Sequence, residues 1–405
     1  MKQRVACLCV LTLGVACSSS TAPTDPRPNT GGSSGSAGAQ AGGGNGGTTA
    51  GGTGTSAGTG GVATGGGGTG GSGGGSTAGA AGTGAAGAAG AGGSGGGAPV
   101  GFKCPAGPFE APALTNAKAT KVPNAPPSDT FNMNNFTNVE GPVWIGDSLY
   151  FSEMTGSNMI PPARILKLAP GGAVTVAVMD SGSNGLAVDS AGILTAAVHK
   201  DGSISQIALP AGTVTPIISM YMAKRFTSPN DLAIRSDGTI YFSDPQFQNQ
   251  ANPQGAERLY WVTPAPTRTV TAITQQMGAP SPPNGVTLSP DEKTLYVSGS
   301  GLKKFTVGTD GSLSGGTDFI VGGGGDGMAV DCAGNLYIAG NMGNVVRVYS
   351  PTATLLGTIQ ADNGGTTTNV AFGGADHKTL YITAQGNEGQ RGVFSIALNV
   401  PGFPY

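Results

Sequence analysis

The chain has 405 residues, of which 74 are glycine and only 10% are charged. This composition excludes an ordinary globular domain over the whole length, because glycine-rich sequence has too little side chain to bury in a core. The formal net charge of −2 at pH 7 excludes a basic surface of the kind that binds nucleic acid. We therefore predict a small-molecule ligand and no nucleic-acid partner.

Residues 1–17 have the features of an export signal. Lys2 and Arg4 precede a short apolar run that is too short to span a bilayer. The run ends in "LGVAC", which resembles a bacterial lipobox, although Leu13 stands four residues before Cys17 where the usual pattern has it three before. We predict lipidation of Cys17 and anchoring in the bacterial cell envelope, with the lipid as the chain's single membrane contact. The alternative is ordinary signal cleavage, which would give a periplasmic or secreted protein.

Residues 18–103 form the second region of the chain. No Asp, Glu, Lys or Arg occurs from residue 28 to residue 102, and Gly, Ala, Ser and Thr predominate. Such a segment cannot bury enough apolar surface to offset the entropy lost on ordering. As a flexible coil it would reach on the order of 50 Å. We predict a disordered tether that carries a folded, monomeric domain at residues 104–405.

Two cysteines belong to that predicted domain. Cys7 and Cys9 leave with the signal and Cys17 takes the lipid, so that Cys104 and Cys332 remain. The exported compartment permits disulfides. We predict that these two cysteines pair, the alternative being two unpaired buried thiols.

Six similar segments follow one another after residue 131. Each begins with a polar residue, continues as an apolar-alternating run, turns at Gly or Asp, and ends in a second alternating run, which is the pattern of a β-hairpin. The first residues lie 42 to 54 residues apart and are Glu140, Asn184, Asn230, Asn284, Asp326 and Thr368. This spacing is typical of four-stranded propeller blades. We predict an all-β fold, a six-bladed β-propeller.

The six first residues are predicted to approach the central channel at one level, because they occupy equivalent positions in successive blades. All six side chains carry oxygen and two are carboxylates, a set that suits a hard cation with six to eight oxygen ligands. Ca²⁺ is the first candidate, and Mg²⁺ or Mn²⁺ could replace it. The scarcity of His and Cys disfavours other transition metals. The alternative is that the asparagines cap turns.

Several of these segments resemble the signatures of one enzyme family. "EGPVW", "SPNDLAIRSDGTIYFSDP", "PNGVTLSPDEKTLYV" and "DGMAVDCAGNLYIAG" are similar to segments of the gluconolactonase/regucalcin-like (senescence marker protein) family, whose members also resemble diisopropyl fluorophosphatase. The resemblance covers most of residues 131–396. It implies that one divalent cation binds to Glu140, Asn230, Asn284 and Asp326, and that this ion polarises a lactone or ester carbonyl for attack by water.

The resemblance also suggests catalytic roles. Asp326 is the candidate general base, because a carboxylate beside the metal can accept a proton from water; the alternative is a purely ligating role. His199 matches a histidine that many bacterial members carry in the cleft, where it could shuttle a proton. The alternative for His199 is a structural hydrogen bond. His377 is expected on the surface, in the turn "GGADHKT".

Four further residues are expected to surround the metal or form the substrate wall, namely Asn184, Asp231, Asp244 and Thr368. Asp231 and Asp244 have an alternative role as turn residues that anchor the third blade.

Two departures leave the substrate open. Ser228 stands where animal members have an arginine, and Gly299 stands where several bacterial members have an acid. The sequence therefore predicts an exported, metal-dependent hydrolase of a lactone or related ester. The alternatives are a noncatalytic, calcium-plugged binding module and a phosphotriesterase-like hydrolase.

Overall fold

A computed structural model describes residues 103–403, except for 133–135, 157–160, 249–250, 323 and 341–342. The predicted signal, Cys17 and residues 18–102 of the predicted tether lie outside the described residues. The described part of the chain is almost entirely β-structure, with two short 3-10 helices at Thr130–Asn132 and Gln275–Met277. In this part, no helix has the length and apolar character needed to cross a membrane.

The strands form sheets in chain order. The N-terminal strand is β1 (Lys118–Lys121). The first four-stranded sheet comprises β2 (Thr137–Ile145), β3 (Ser148–Thr155), β4 (Ala163–Leu168) and β5 (Val174–Val178). The second comprises β6 (Ser183–Val188), β7 (Leu194–Val198), β8 (Ser203–Ala208) and β9 (Thr213–Ile218). A separate two-stranded hairpin follows, formed by β10 (Met220–Tyr221) and β11 (Lys224–Arg225).

The third sheet comprises β12 (Leu232–Ile234), β13 (Ile240–Asp244), β14 (Arg258–Val262) and β15 (Val270–Ile273). The fourth comprises β16 (Pro283–Leu288), β17 (Thr294–Gly299), β18 (Leu302–Val307) and β19 (Leu313–Ile320). The remaining strands are β20 (Met328–Val330), β21 (Leu336–Ile338), β22 (Val345–Tyr349), β23 (Leu355–Ala361), β24 (Thr366–Gly373), β25 (Thr379–Gln385) and β26 (Gly392–Ala397).

These last strands join β1 in one eight-stranded sheet. Lys118 of β1 pairs with Gln360 of β23 in parallel, and Thr120 pairs with Ser395 of β26 in the antiparallel sense. The all-β prediction is therefore confirmed and the arrangement is propeller-like, but the described residues form four separate four-stranded sheets rather than six. The physical reason is that β1 satisfies the exposed edges of β23 and β26 together.

The first strands of the repeated units surround a common axis. Contacts between them run in the order β2, β6, β12, β16, β20 and β24, and β24 then contacts β2. Apolar side chains fill the space between neighbouring units; Val143, Ile165, Leu186 and Ile207, for example, belong to one buried cluster between the first two sheets. Burial of both faces of the sheets thus brings the starts of these six strands to one end of the axis.

The two ends of the domain are fastened to the same turn. The predicted disulfide between Cys104 and Cys332 is present, with the Cα atoms 5.3 Å apart, and the Cys332 amide donates to the Pro401 carbonyl at 2.8 Å. The Gly402 amide donates to the His377 carbonyl at 2.7 Å. The prediction that His377 lies on the surface is wrong: the residue is 7% exposed, because the C-terminal segment covers it.

Candidate functional site

Close backbone contacts between neighbouring units bring together the first residues of the six repeated segments. Glycine follows the first residue in four of the six repeated segments. A Cβ atom on Gly141 would lie 2.4 Å from the carbonyl oxygen of Asn184, and one on Gly285 would lie 2.2 Å from that of Asp326. A side chain at either position would overlap the next unit, so glycine is required for this approach.

Hydrogen bonds continue these contacts around the axis. The Gly185 amide donates to the Asn230 carbonyl and the Gly327 amide donates to the Thr368 carbonyl, each at 2.7 Å. The Thr368 hydroxyl donates in turn to the carbonyl of Val139, which precedes Glu140 in β2. The last unit is thereby bonded to the first, and the backbones of the six predicted residues meet around the axis.

Irregular strand pairing occurs at the same points. The register shifts between Glu140 and Val143 in β2, and between Pro283 and Val286 in β16. Such bulges bend a strand and change the direction of its side chains, and they are common beside functional sites. In β2 the shift directly follows Glu140, which still pairs with Ser152, and in β16 it leaves Asn284 outside the regular pairing with the second strand.

A small cavity lies beside these contacts. It has a volume of about 30 Å³, enough for about one water molecule. Asp231 and Asn369 contribute polar lining. Its apolar lining includes the third residue of every repeated segment, namely Pro142, Leu186, Leu232, Val286, Met328 and Val370. All six segments therefore share one axial cavity.

A larger groove of about 980 Å³ lies at the opposite end of the strands, between the first two sheets. Its lining includes Ile145, Tyr150, Lys167 and Ile207. None of the predicted site residues contributes to it, so size alone does not locate the candidate site.

Two predicted metal ligands are acids in a buried environment. Burial raises the pKa of Glu140 well above its ordinary value, and the nearby charges of Asp326 and Asp231 raise it further. Burial, followed by the charge of Asp231, raises the pKa of Asp326 to about 8. No Lys or Arg of the described chain is among the groups that most affect these two acids. Their ionisation therefore lacks a compensating cation from the protein.

Amide side chains beside these acids have unsatisfied oxygens. The Asn284 side chain forms a hydrogen bond to Asp326, whereas its Oδ1 atom is buried without a partner. Asn184 is 1% exposed, and neither its Oδ1 nor its Nδ2 atom has a hydrogen-bond partner. Buried polar atoms are normally satisfied, so these oxygens are available to a ligand.

Carboxylate and amide oxygens together fit a hard divalent cation. Glu140, Asn230, Asn284 and Asp326 would hold it, with Asn184 close to Asn230 through the Gly185 contact. No group of three His, Cys, Asp or Glu residues in the described chain is placed to hold a metal. Binding of a divalent cation at this site would therefore depend on the asparagine oxygens as much as on the carboxylates.

Asp231 has a structural role in this arrangement. Its Oδ1 accepts a hydrogen bond from the Leu232 amide and its Oδ2 accepts one from the Val286 amide, both at 3.0 Å. Burial raises its pKa to about 7. The carboxyl group joins the third sheet to the fourth, in agreement with the anchoring alternative.

Asp244 supports the segment that leads to Asn230. Its carboxyl oxygens accept hydrogen bonds from the amides of Thr227 at 2.9 Å and Ser228 at 2.6 Å. Burial raises its pKa to about 6. The Ser228 hydroxyl donates to Oε1 of Gln248 at 3.0 Å and accepts from the Gln248 amide at 3.1 Å. This segment is thus fixed by its own hydrogen bonds.

Asn369 is a site residue that sequence reasoning missed. Its side chain forms a hydrogen bond to Glu140 that favours the ionised acid, whereas the predicted neighbour, Thr368, uses its hydroxyl to bond Val139 and Thr383. The available signal was that Asp231 and Asn369 occupy the second position of their segments, where the other four segments have glycine.

His199 lies at the end of β7 with no exposed surface. Its Nε2 atom is 2.9 Å from the Pro161 carbonyl oxygen, and its Nδ1 atom has no hydrogen-bond partner. Burial lowers its pKa to about 4, so the ring is neutral at pH 7 and Nε2 carries the proton that it donates. This contact agrees with the structural alternative, and proton shuttling stays a prediction.

Comparison with known proteins gives three results. Residues 139–386 match the family model described as "SMP-30/Gluconolactonase/LRE-like region". A gluconolactonase of Zymomonas mobilis is 29% identical over 289 residues, which cover 61% of this chain and 76% of that protein. Among solved structures, a gluconolactonase of Xanthomonas campestris has a TM-score of 0.55 and 27% identity, covering 73% of this chain and 98% of its own.

A second solved structure is similar in fold. Regucalcin of Agrobacterium tumefaciens, described as a calcium-binding protein, has a TM-score of 0.53 and 20% identity. The match covers 66% of this chain and 92% of the regucalcin chain.

Proposed function

Because residues 139–386 match its family model, the chain belongs to the SMP-30/gluconolactonase/LRE-like family, and we propose that it is a metal-dependent hydrolase of a lactone or related ester. The similarity to gluconolactonases from two organisms supports a lactonase-type reaction. The residues predicted from the sequence to bind the metal, Glu140, Asn230, Asn284 and Asp326, belong to segments that meet around one axis.

One observation carries the proposal. The charge of Asp326 raises the pKa of the buried Glu140 carboxyl group, and the residue that hydrogen-bonds Asp326 is Asn284, whose Oδ1 atom has no partner, with no cationic side chain among the groups that most affect either acid. A divalent cation would satisfy all three groups. Ca²⁺ is the first candidate, supported by the oxygen-rich ligand set and by the calcium-binding relative. When bound, it would supply Lewis-acid polarisation of the substrate carbonyl.

The protein's own residues supply proton transfer and orientation. Asp326 acts as the general base: it takes a proton from the water whose oxygen attacks the lactone carbonyl carbon. The ring C–O bond then breaks, and the ring oxygen takes up a proton to give a hydroxy acid. The Asn284 amide orients Asp326, as the Asn369 amide orients Glu140. The unpartnered Asn184 amide is available to donate to the substrate.

The proposal includes a ring of six blades. Four of the blades are the four separate sheets. The other two lie within the eight-stranded sheet: β20 to β23 form one, β24 to β26 with β1 form the other, and β1 also pairs with β23. The cyclic contacts of the six first strands and the lining of the axial cavity support this count.

The proposal also places the enzyme outside the cytoplasm, held by a lipid on Cys17 and separated from the membrane by the tether. The lipobox-like sequence and the glycine-rich composition support it. Full-length protein should sediment with bacterial membranes and a Cys17→Ser variant should be released from them. Equal distribution of the two proteins would contradict the anchor.

The function is tested with purified full-length protein on a lactone, an aryl ester and a phosphotriester, with chelator and then with added Ca²⁺. Lactone hydrolysis should disappear with chelator and return with Ca²⁺. Asp326→Asn should lower kcat/KM by about 10²-fold or more, the usual size of a general-base contribution, whereas Asp362→Asn, at an exposed acid, should not.

The other outcomes separate the rival functions. Lactone hydrolysis that survives chelation would contradict a metal-dependent mechanism. Calcium-dependent stabilisation without hydrolysis of any substrate would favour the binding module. Preference for the phosphotriester would favour the phosphotriesterase.

A further inference from the structure

A small residue recurs at one position in the second strand of every repeated unit. In "LYFSE", "IYFSD", "LYVSG" and "LYITA" it carries a hydroxyl group and stands two residues after the tyrosine. The six residues at this position are Ser152, Ala197, Ser243, Ser298, Ala339 and Thr383, and all of them are fully buried. Because alanine occupies the position in two units, burial there does not require a hydroxyl group, and the four hydroxyls need another explanation.

The recurring position lies beside the first residue of the same unit. Ser152 in β3 pairs with Glu140 in β2. In the third unit, the Asn230 amide donates to the Ser243 carbonyl at 3.0 Å. The second strand therefore places these hydroxyl groups next to the predicted metal ligands.

Several of these hydroxyl groups connect one unit to the next. The Ser152 Oγ atom is 2.7 Å from the Oγ atom of Ser183, the first residue of β6. The Thr383 hydroxyl is 2.9 Å from that of Thr368, which bonds to Val139 in the first unit. The hydroxyls thus take part in the contacts that close the ring of units around the axis.

Ser298 connects the backbones of two predicted metal ligands. Its Oγ atom accepts a hydrogen bond from the Gly285 amide at 2.8 Å and donates one to the Asp326 carbonyl at 2.6 Å. Gly285 directly follows Asn284 in the chain, and the Asn284 side chain bonds to Asp326. One hydroxyl group therefore holds the main chain of both ligands, in the fourth and fifth units.

Regular strand pairing does not provide this connection. The register of β16 shifts between Pro283 and Val286, so Asn284 and Gly285 lie outside the regular ladder with β17. The main chains of the two units are nevertheless very close, because a Cβ atom on Gly285 would lie 2.2 Å from the Asp326 carbonyl oxygen. The Ser298 hydroxyl supplies hydrogen bonds at a point where the ladder is interrupted.

We propose that Ser298 is a positioning residue of the metal site, whose hydroxyl group fixes Asn284 relative to Asp326 and thereby sets the affinity for the divalent cation. This inference rests on the proposed metal-dependent function. Ser298 acts through these two residues without touching the ion. Ligands that are already held in place lose less conformational freedom on binding, and groups that orient metal ligands commonly change metal affinity by about 10- to 100-fold.

The test is calorimetric titration of Ca²⁺ into chelator-stripped, full-length protein. Ser298→Ala removes the hydroxyl group and should raise the Kd for Ca²⁺ by about 10-fold or more. The melting temperature of each stripped protein is measured alongside, so that a loss of stability is seen separately from a loss of affinity.

Ser298→Thr and Ser298→Val form a matched pair, because their side chains have nearly the same shape and differ in the hydroxyl group. Thr383 shows that threonine is accommodated at the equivalent position of the last unit. The threonine variant should keep the wild-type Kd, whereas the valine variant should bind Ca²⁺ as weakly as Ser298→Ala. This comparison isolates the hydroxyl group even if the alanine variant does not fold.

Ser205→Ala is the control for loss of a buried hydroxyl elsewhere. Ser205 is also fully buried, and its Oγ atom is 2.9 Å from that of Ser203, but both residues lie in β8, the third strand of the second sheet. This variant should have a lower melting temperature when stripped and an unchanged Kd for Ca²⁺.

The possible failures are distinguishable. A wild-type Kd in the alanine and valine variants of Ser298, or an equal loss of affinity in Ser205→Ala, would overturn the positioning role and leave the proposed function intact. A wild-type protein that binds no Ca²⁺ in the calorimeter would overturn the proposed metal-dependent function, and the role of Ser298 with it.

Discussion

At the scale of single residues, His199 is a pH-sensitive group that is fully buried. Its pKa is lowered from about 6.5 to about 4 by burial, so the folded state binds fewer protons than the unfolded state between these values. Stability from this residue is therefore fully present above pH 6.5 and is lost as the pH falls toward 4.

A comparison of wild type with His199→Gln isolates this effect. Glutamine keeps a hydrogen-bond donor for Pro161 but does not titrate. Between pH 7.5 and 4.5, wild type should lose about 2 to 3 kcal/mol of unfolding free energy relative to the variant, as measured by urea denaturation in the presence of chelator. A difference that is independent of pH would contradict the buried, neutral imidazole.

The sequence predicted several of the residues that the structure brings together, and it missed others for physical reasons. Glu140, Asn284 and Asp326 could be predicted because their positions repeat along the chain. Asn369 could not, since one polar residue per segment was expected and its contact with Glu140 is made across units. The burial of His377 depends on the C-terminal segment, which has no repeating pattern.

At the scale of elements, the close approach between units depends on glycine. Gly285→Ala places a Cβ atom 2.2 Å from the Asp326 carbonyl oxygen; Gly285 belongs to β16, and the Asp326 carbonyl accepts a hydrogen bond from the Ser298 hydroxyl. We expect the variant to lose about 2 kcal/mol or more of unfolding free energy, as for other severe overlaps in packed interiors. Gly389→Ala is the matched control, because its added Cβ would meet no atom within 4 Å. Equal stability of the two variants would contradict the tight contact.

Hairpins were predictable from the sequence, whereas the pairing of β1 was not. Alternating apolar residues on either side of a turn specify a hairpin locally. The strand β1, with the sequence "KATK", lacks a repeated pattern and gains its place from free edges on β23 and β26. That long-range pairing joins two units into one sheet, and local sequence does not encode it.

At the scale of the whole molecule, the Cys104–Cys332 disulfide fastens the start of the domain to the turn after β20. The bridged residues are 228 positions apart in sequence, so the bond restricts a large loop in the unfolded chain. Cys104→Ser/Cys332→Ser should lower the unfolding free energy by about 2 to 5 kcal/mol. Added reductant should destabilise wild type and leave the variant unchanged. A variant as stable as oxidised wild type would contradict this role.

Calcium titration of chelator-stripped, full-length protein, followed by lactone hydrolysis and melting temperature in the same samples, tests the central claim most directly. A cation that completes the site formed by Glu140, Asn284 and Asp326 stabilises the folded state by mass action. Activity and melting temperature should therefore rise together and saturate at one Ca²⁺ per chain, and Asp326→Ala should abolish both responses. Full lactone hydrolysis by the stripped protein, with an unchanged melting temperature on calcium addition, would contradict the account.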